Sequence, residues 1–161
     1  MSRADVLADA KWALERQLAW IASAEVKVGV VVSIQVAMLA GLGAAFAATT
    51  TKSAWAIGSA AMCALFGVVA LACAAMAVYP RVKGPDSLFF FGKIAACAQA
   101  DYVDALIKAS DHALASDLAT QVHINAKIAL RKHEWVSKAM MVAFMSALPW
   151  LVAVGALVLP G

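Results

Sequence analysis

Three long stretches of this sequence contain no charged residue. Residues 28–48, 54–79 and 139–159 hold 21, 26 and 21 residues, and none of them is Asp, Glu, Lys or Arg. A helix needs about 20 mostly apolar residues to cross the hydrocarbon layer of a membrane. The three stretches therefore predict three transmembrane helices, called here the first, second and third spans.

Composition supports the same fold class. Apolar residues make up 64% of the 161 residues and charged residues 14%, whereas an ordinary soluble domain has about 25% charged residues. So much apolar surface excludes a simple soluble globule, and it also excludes a disordered chain. No useful strand-like alternation occurs. We expect an all-α membrane protein, with three transmembrane helices and a membrane-proximal cytoplasmic helical bundle.

The basic residues predict the orientation. The four segments that flank the spans carry 4, 1, 8 and 0 Lys and Arg residues in chain order. Basic residues accumulate on the cytoplasmic side of a membrane protein. This pattern predicts a multi-pass protein with a cytoplasmic N-terminus and a C-terminus on the opposite side.

The segments outside the spans predict further helices. Residues 1–27 show a heptad-like apolar repeat and predict a cytoplasmic stalk helix that runs into the first span. Residues 80–137 predict a helical hairpin that would act as the sensor, with helices over 87–109 and 113–137. The stalk and the hairpin would form the cytoplasmic bundle.

Small residues recur every fourth position in the first span. Such stripes allow close approach of another helix in a membrane, within one chain or between chains, and they favour a homo-oligomer. The stripe consists of Gly29, Ser33, Ala37, Gly41 and Ala45.

Two residues within the spans have alternative interpretations. Gln35 is the strongly polar side chain there, and it forms either an interhelical hydrogen bond or a pore-lining position. Pro149 predicts a kink, which is either static or a gating hinge. Together with Gly41 they are the candidate pore or gating residues. The spans contain no Asp, Glu, Lys, Arg or His. An ion pump, a voltage sensor and a coupled transporter usually need such a residue within the membrane, so all three are disfavoured.

The chain shows no catalytic or metal-binding pattern. The three Cys residues form no CxxC pair, and the three His residues have no metal-ligand spacing. Nucleophile, paired-carboxylate and phosphate-loop motifs are also missing. We therefore expect neither an enzyme, nor a cofactor, nor a nucleic-acid partner.

A polar cluster precedes the third span. His123, Lys127 and Arg131 follow one another at steps of four on one helix face. Gln121, Asn125 and Lys132 lie on other faces of the same turns. Lys and Arg can hold a phosphate, and amides can read a base. The alternative is a solvated basic flank near the bilayer. Lys27 lies on the first helix at a depth that matches this polar cluster. Lys93 adds positive charge near the predicted start of the middle cytoplasmic helix.

Three segments together resemble a known family. AEVKVGVVVSI enters the first span, FFFGKIA precedes Tyr102, and HINAKIALRKHEW leads into the third span. In order and spacing they are similar to the transmembrane effectors of bacterial Pycsar antiphage systems, over residues 10–150. The resemblance implies an inner-membrane effector that a cyclic pyrimidine mononucleotide (cUMP or cCMP) activates. The effector then disrupts or permeabilises the membrane and stops growth or kills the cell.

The resemblance also implies where the nucleotide binds. Because the chain has no β-rolled cyclic-nucleotide domain, the cytoplasmic helices must bind the ligand. The alternative function is a non-conducting membrane scaffold for a cytoplasmic protein partner. The candidate nucleotide-binding residues are Lys27, Lys93, Tyr102, His123, Asn125, Lys127, Arg131 and Lys132.

Overall fold

Every regular element of the described chain is an α-helix. The computed structural model describes residues 3–80, 84 and 86–158, with side chains from residue 5 onward. The expected end of the third span at Leu159 lies outside these residues. The helices are α1 (Arg3–Ala48), α2 (Ala54–Val78), α3 (Phe91–Ala96), α4 (Gln99–Lys108) and α5 (Asp111–Val158).

Three of these helices, α1, α2 and α5, are long and apolar enough to cross a membrane. The prediction of an all-α membrane protein with three membrane-crossing helices is confirmed. α1 has 46 residues and α5 has 48, more than twice the length that a single crossing requires. Their polar portions therefore extend well beyond an apolar span.

Serine residues start two of the helices. The Ala56 N–H donates to Ser53 Oγ at 3.2 Å at the start of α2. The Ala113 N–H donates to Ser110 Oγ at 3.2 Å at the start of α5. These serines satisfy N–H groups that have no partner within the helix. α5 then continues through Pro149 to Val158.

The chain divides into two compact units. The first contains residues 1–23 and 79–131, and the second contains residues 24–78 and 132–161. Two buried apolar clusters form the core of the second unit, one with Val28, Val31 and Val136, the other with Leu42 and Leu157. Between these larger side chains, α2 contributes mostly alanines to both clusters.

The single helix expected over 87–109 is wrong. Residues 86–90 form a loop, and the chain is extended at Cys97 and Ala98, between α3 and α4. The Cys97 N–H still closes α3 by donating to Lys93 O at 3.1 Å, while Ala98 O accepts from the Tyr102 N–H at 3.0 Å and opens α4. No Gly or Pro marks this break.

Candidate functional site

A cavity of about 640 Å³ lies in the first unit. Its walls come from the 86–90 loop, from α3 and α4, and from the first turns of α5. Pockets for small ligands typically measure about 300–1,000 Å³, so this cavity has a suitable size. Its polar lining residues are Asp86, Ser87, Lys93, Tyr102, His112, Ser116, Asp117 and Thr120.

Leu88 is held through both of its backbone polar groups. Its N–H donates to Asp117 Oδ2 at 2.8 Å, and its carbonyl accepts from the Tyr102 hydroxyl at 3.3 Å. In one straight helix, residues 14 positions apart would be separated by about 21 Å. The break between α3 and α4 therefore allows Tyr102 to reach Leu88, and the loop is fixed beside the cavity.

Lys93 is the cationic residue of the cavity lining. Its Nζ lies 2.6 Å from Asp86 Oδ1, and both side chains are at least half exposed. The hydrogen bond and the charge of Asp86 raise the pKa of Lys93 above its ordinary 10.5. Lys93 therefore carries a full positive charge at neutral pH. Its carboxylate partner is in contact with solvent, so another anion can replace it.

Two polar residues of α5 were not among the candidate nucleotide-binding residues, although the polar cluster before the third span includes Gln121. Asp117 is half-buried and is engaged by Leu88. Gln121 follows four residues later on the same helix face and is only 4% exposed. Among the described residues, its Nε2 has no hydrogen-bond partner. The four-residue spacing of Asp117 and Gln121 along α5 was the available signal.

The other candidates on α5 lie apart from this lining. His123, Lys127 and Arg131 are exposed, and the described cavity lining does not include them. Asn125 is half-buried, and its Nδ2 donates to the Gln121 carbonyl at 2.9 Å. The structure thus brings Lys93 and Tyr102 together, and leaves the basic residues of α5 on a solvated helix surface.

Lys27 and Lys132 belong to the second unit. Lys132 Nζ lies 2.8 Å from Glu25 Oε1, and the Lys132 side chain is only 12% exposed. This ion pair joins α5 to α1. Lys27, two residues after Glu25, is exposed.

The three candidate gating residues lie in the second unit. Gln35 is fully buried, and its Nε2 donates to Ser146 Oγ at 3.0 Å and to Ala143 O at 3.3 Å. Pro149 is buried within α5. A Cβ placed on Gly41 would lie 3.9 Å from the Trp150 ring. Gln35 therefore forms an interhelical hydrogen bond in this structure.

The cavity combines an ammonium with an exchangeable counter-ion, hydroxyl groups, an imidazole and a fixed carboxylate. Such a set suits a small polar ligand that carries a negative charge. No group of three His, Cys, Asp or Glu residues that could hold a metal ion occurs in the described chain. This chemistry makes the cavity a candidate binding site.

The fold and the cavity define a helical membrane protein with a ligand-sized polar site. The family model of the Pycsar effector protein domain, PycTM, matches residues 9–159. The chain therefore belongs to the PycTM family, the membrane effectors of Pycsar antiphage defence. The resemblance found in the sequence is confirmed.

One curated relative is the Pycsar effector protein PtPycTM of Propioniciclava tarda. It is 29% identical over 136 residues, which cover 78% of this chain and 67% of the relative. No solved structure matches the chain significantly.

Proposed function

We propose that this effector senses a cyclic pyrimidine mononucleotide, cUMP or cCMP, and then permeabilises the bacterial inner membrane. The observation that carries the proposal is the polar cavity of about 640 Å³ with Lys93 at its edge. Membership of the Pycsar effector family supports activation by a cyclic nucleotide. The size and the charge of the cavity suit such a ligand.

In this proposal, the ligand phosphate binds to Lys93 in place of Asp86. The exchange is inexpensive, because an exposed ion pair contributes little net free energy and both side chains reach solvent. The phosphate regains a charge-assisted hydrogen bond from the same ammonium. Asp86 then returns to water, where its carboxylate is fully hydrated.

The ribose and base would occupy the α5 side of the cavity. Ser116, Thr120 and His112 offer hydrogen-bonding groups there. Tyr102 and Asp117 hold Leu88, so in this proposal their main role is to position the loop. The exposed residues His123, Lys127 and Arg131 and the half-buried Asn125 remain a second proposed location for the phosphate. Lys27 and Lys132 belong to the second unit and remain separate candidates.

Binding must favour the open state over the closed one. A ligand shifts a conformational equilibrium only through differential affinity for the two states. A hundredfold difference corresponds to about 2.7 kcal/mol per site. The cavity is lined by the start of α5, and α5 is the same helix that crosses the membrane. A small movement of Ala113 or Asp117 would therefore bias the spans, and several linked copies would multiply the bias.

Copies of the chain would associate through α1. Gly29, Ser33 and Ala37 are exposed. A Cβ added to Gly29 would meet no atom of the described chain within 4 Å. The first part of the stripe is therefore not used for packing within this chain, and it suits a helix of a second copy. Farther along, Gly41 lies beside Trp150 and Ala45 packs on the Leu42 cluster of the same chain. The basic flanks support a cytoplasmic N-terminus and a cytoplasmic cavity.

The test is dye release from liposomes that contain the purified protein, with cUMP, cCMP, cAMP and cGMP added separately. We expect release with one pyrimidine nucleotide only. The Lys93→Ala variant should need about tenfold or more nucleotide for half-maximal release, because a charged hydrogen bond to the phosphate is lost.

The matched control is Lys108→Ala. Lys108 forms a comparable exposed ion pair with Asp104, 2.7 Å long, but it is not part of the described cavity lining. Release in the control should equal that of the parent protein. Correctly inserted protein that stays silent with every nucleotide contradicts the proposal and favours the scaffold function. Loss of response in Lys127→Ala, with Lys93→Ala unaffected, moves the site to the basic surface of α5.

A further inference from the structure

Polar contacts join α1 and α5 along the whole second unit. Each contact links a side chain on one helix to a group on the other, or to the residue that follows α1. In order along α1 they are Glu25 with Lys132 at 2.8 Å, Gln35 with Ser146 at 3.0 Å, the Met38 carbonyl with Trp150 Nε1 at 2.8 Å, and Thr49 with the Leu157 carbonyl at 3.0 Å.

α2 is held differently. Ser59, its hydroxyl residue, donates to Trp55 O and Ala56 O of its own helix. Within the described chain, no side chain of α2 has a hydrogen bond to α1 or α5. The helix is packed through small residues, namely Ala56, Ala60, Cys63, Gly67, Ala70, Ala74 and Ala77.

This difference matters in a membrane. Lipid tails are as apolar as the packed side chains, so the hydrophobic effect does not hold α2 against its neighbours, and only dispersion contacts do. Separating α1 from α5 would instead leave Gln35 and Ser146 without partners in hydrocarbon, which is costly. The weaker boundary of the unit therefore runs along α2.

One polar group lies beneath that boundary. A Cβ added to Gly67 would come within 3.2 Å of Gln35 Oε1 and of the Leu39 side chain. The absence of a side chain at Gly67 thus lets α2 cover the Gln35 amide. If α2 moves away, this amide becomes a polar surface that water can reach.

We propose that α1 and α5 move as one body, and that α2 is the helix that separates from them when the effector opens. The separation uncovers the Gln35 amide, which then faces the permeation pathway. This inference rests on the proposed function, because it describes the opening that a nucleotide would drive.

Spin-label distances test the movement. Labels are placed at the exposed residues Ala40 of α1, Met62 of α2 and Phe144 of α5, in a variant with Cys63, Cys73 and Cys97 replaced by Ala. Labelled protein is diluted with unlabelled protein in liposomes, so that distances within one chain dominate. The activating nucleotide should change the 40/62 and 62/144 distances by about 5 Å or more, on the scale of one helical turn. The 40/144 distance should stay constant.

A reversible cross-link tests the consequence. Leu39→Cys combined with Gly67→Cys joins α1 to α2 at their contact, and the shorter side chain at residue 39 leaves room for the new one. The oxidised protein should not release dye, and a reducing agent should restore release. Each single variant under oxidising conditions serves as the control.

The outcomes separate the two proposals. Release that continues with the 39/67 cross-link formed, or a 40/144 distance that changes as much as the α2 distances, overturns this inference alone. If the cysteine-free parent and the natural protein release no dye with any cyclic nucleotide, the proposed function fails, and this inference fails with it.

Discussion

Gln35 and Ser146 are both fully buried, and the amide of one donates to the hydroxyl of the other across 3.0 Å. Ser146 also donates to the Ala143 carbonyl at 2.7 Å. The three groups form a closed polar contact between α1 and α5 in an otherwise apolar unit. Polar side chains at such depth persist only when their hydrogen bonds are satisfied.

We predict that Gln35→Leu destabilises the protein by about 0.5–2 kcal/mol, the range measured for hydrogen bonds between membrane helices. Ser146→Ala should have an effect of similar size, and the double variant should cost clearly less than the sum. Unfolding in detergent with increasing SDS measures these values. Ser23→Ala, at an exposed position of α1 outside the small-residue stripe, is the control and should be neutral. If the losses of stability in the two single variants add exactly in the double variant, Gln35 and Ser146 are not coupled.

A side chain at position 67 should force the neighbouring side chains to move. A Cβ there would lie 3.2 Å from both Gln35 Oε1 and Leu39 Cδ2, so Gly67→Ala is expected to cost about 1–3 kcal/mol through overpacking. At Gly58, a Cβ would meet no atom of the described chain within 4 Å. Gly58→Ala should therefore be neutral or slightly stabilising, because Ala is the better helix former. The same unfolding measurement applies. Equal stability of the two variants would contradict the packing at Gly67.

Much of the fold could be predicted from the sequence, because membrane insertion depends on composition over a window of residues. The spans required only a count of apolar residues, and that count is independent of tertiary contacts. The break at Cys97 and Ala98 could not be predicted in this way. It has no Gly or Pro signal, and it accompanies a hydrogen bond between Tyr102 and Leu88, 14 residues apart.

The candidate site was predicted in part for the same reason. Lys93 was chosen for its charge near a helix start and Tyr102 through the family resemblance, and the structure places both in one cavity lining. Asp117 was missed, because its partner is a backbone N–H that lies 29 residues earlier. The basic residues of α5 were chosen by helical spacing, which shows that Lys127 and Arg131 share a face but not what that face contacts.

Lys132 forms an ion pair with Glu25, and variants of the two partners distinguish two roles for Lys132. If Lys132 binds the nucleotide, Glu25→Gln should keep or improve the response, since it frees the ammonium. If Lys132 serves to join α1 and α5, then Glu25→Gln and Lys132→Ala should have similar effects, each within about 1 kcal/mol of stability. We expect the second result, because the Lys132 side chain is mostly buried and already paired.

Nucleotide titrations and unfolding curves of these two variants provide the readout, with Lys108→Ala as the control. Lys108 is exposed and lies outside the described cavity lining, so its replacement should change neither quantity. A nucleotide response that is lost in Lys132→Ala but intact in Glu25→Gln, at equal stability, would assign Lys132 to the ligand.

The support of Leu88 leads to the last prediction. Tyr102→Phe removes the hydroxyl that donates to the Leu88 carbonyl at 3.3 Å but keeps the ring, and Asp117→Asn weakens the bond from the Leu88 N–H. Both changes loosen the loop that carries Asp86 and Ser87 without removing Lys93. We expect each variant to need about 3–10 times more nucleotide for half-maximal dye release, the effect of one modest hydrogen bond.

The distinguishing readout for this positioning role is hydrogen exchange of the loop. The Leu88 amide should exchange faster in both variants, because it loses protection when the loop opens locally. The control is Tyr79→Phe, which removes the hydroxyl of an exposed tyrosine outside the described cavity lining. A weaker nucleotide response with an unchanged Leu88 exchange rate would mean that Tyr102 contacts the ligand directly. In that case the ring and hydroxyl belong to the recognition of the base, and the loop is held by Asp117 alone.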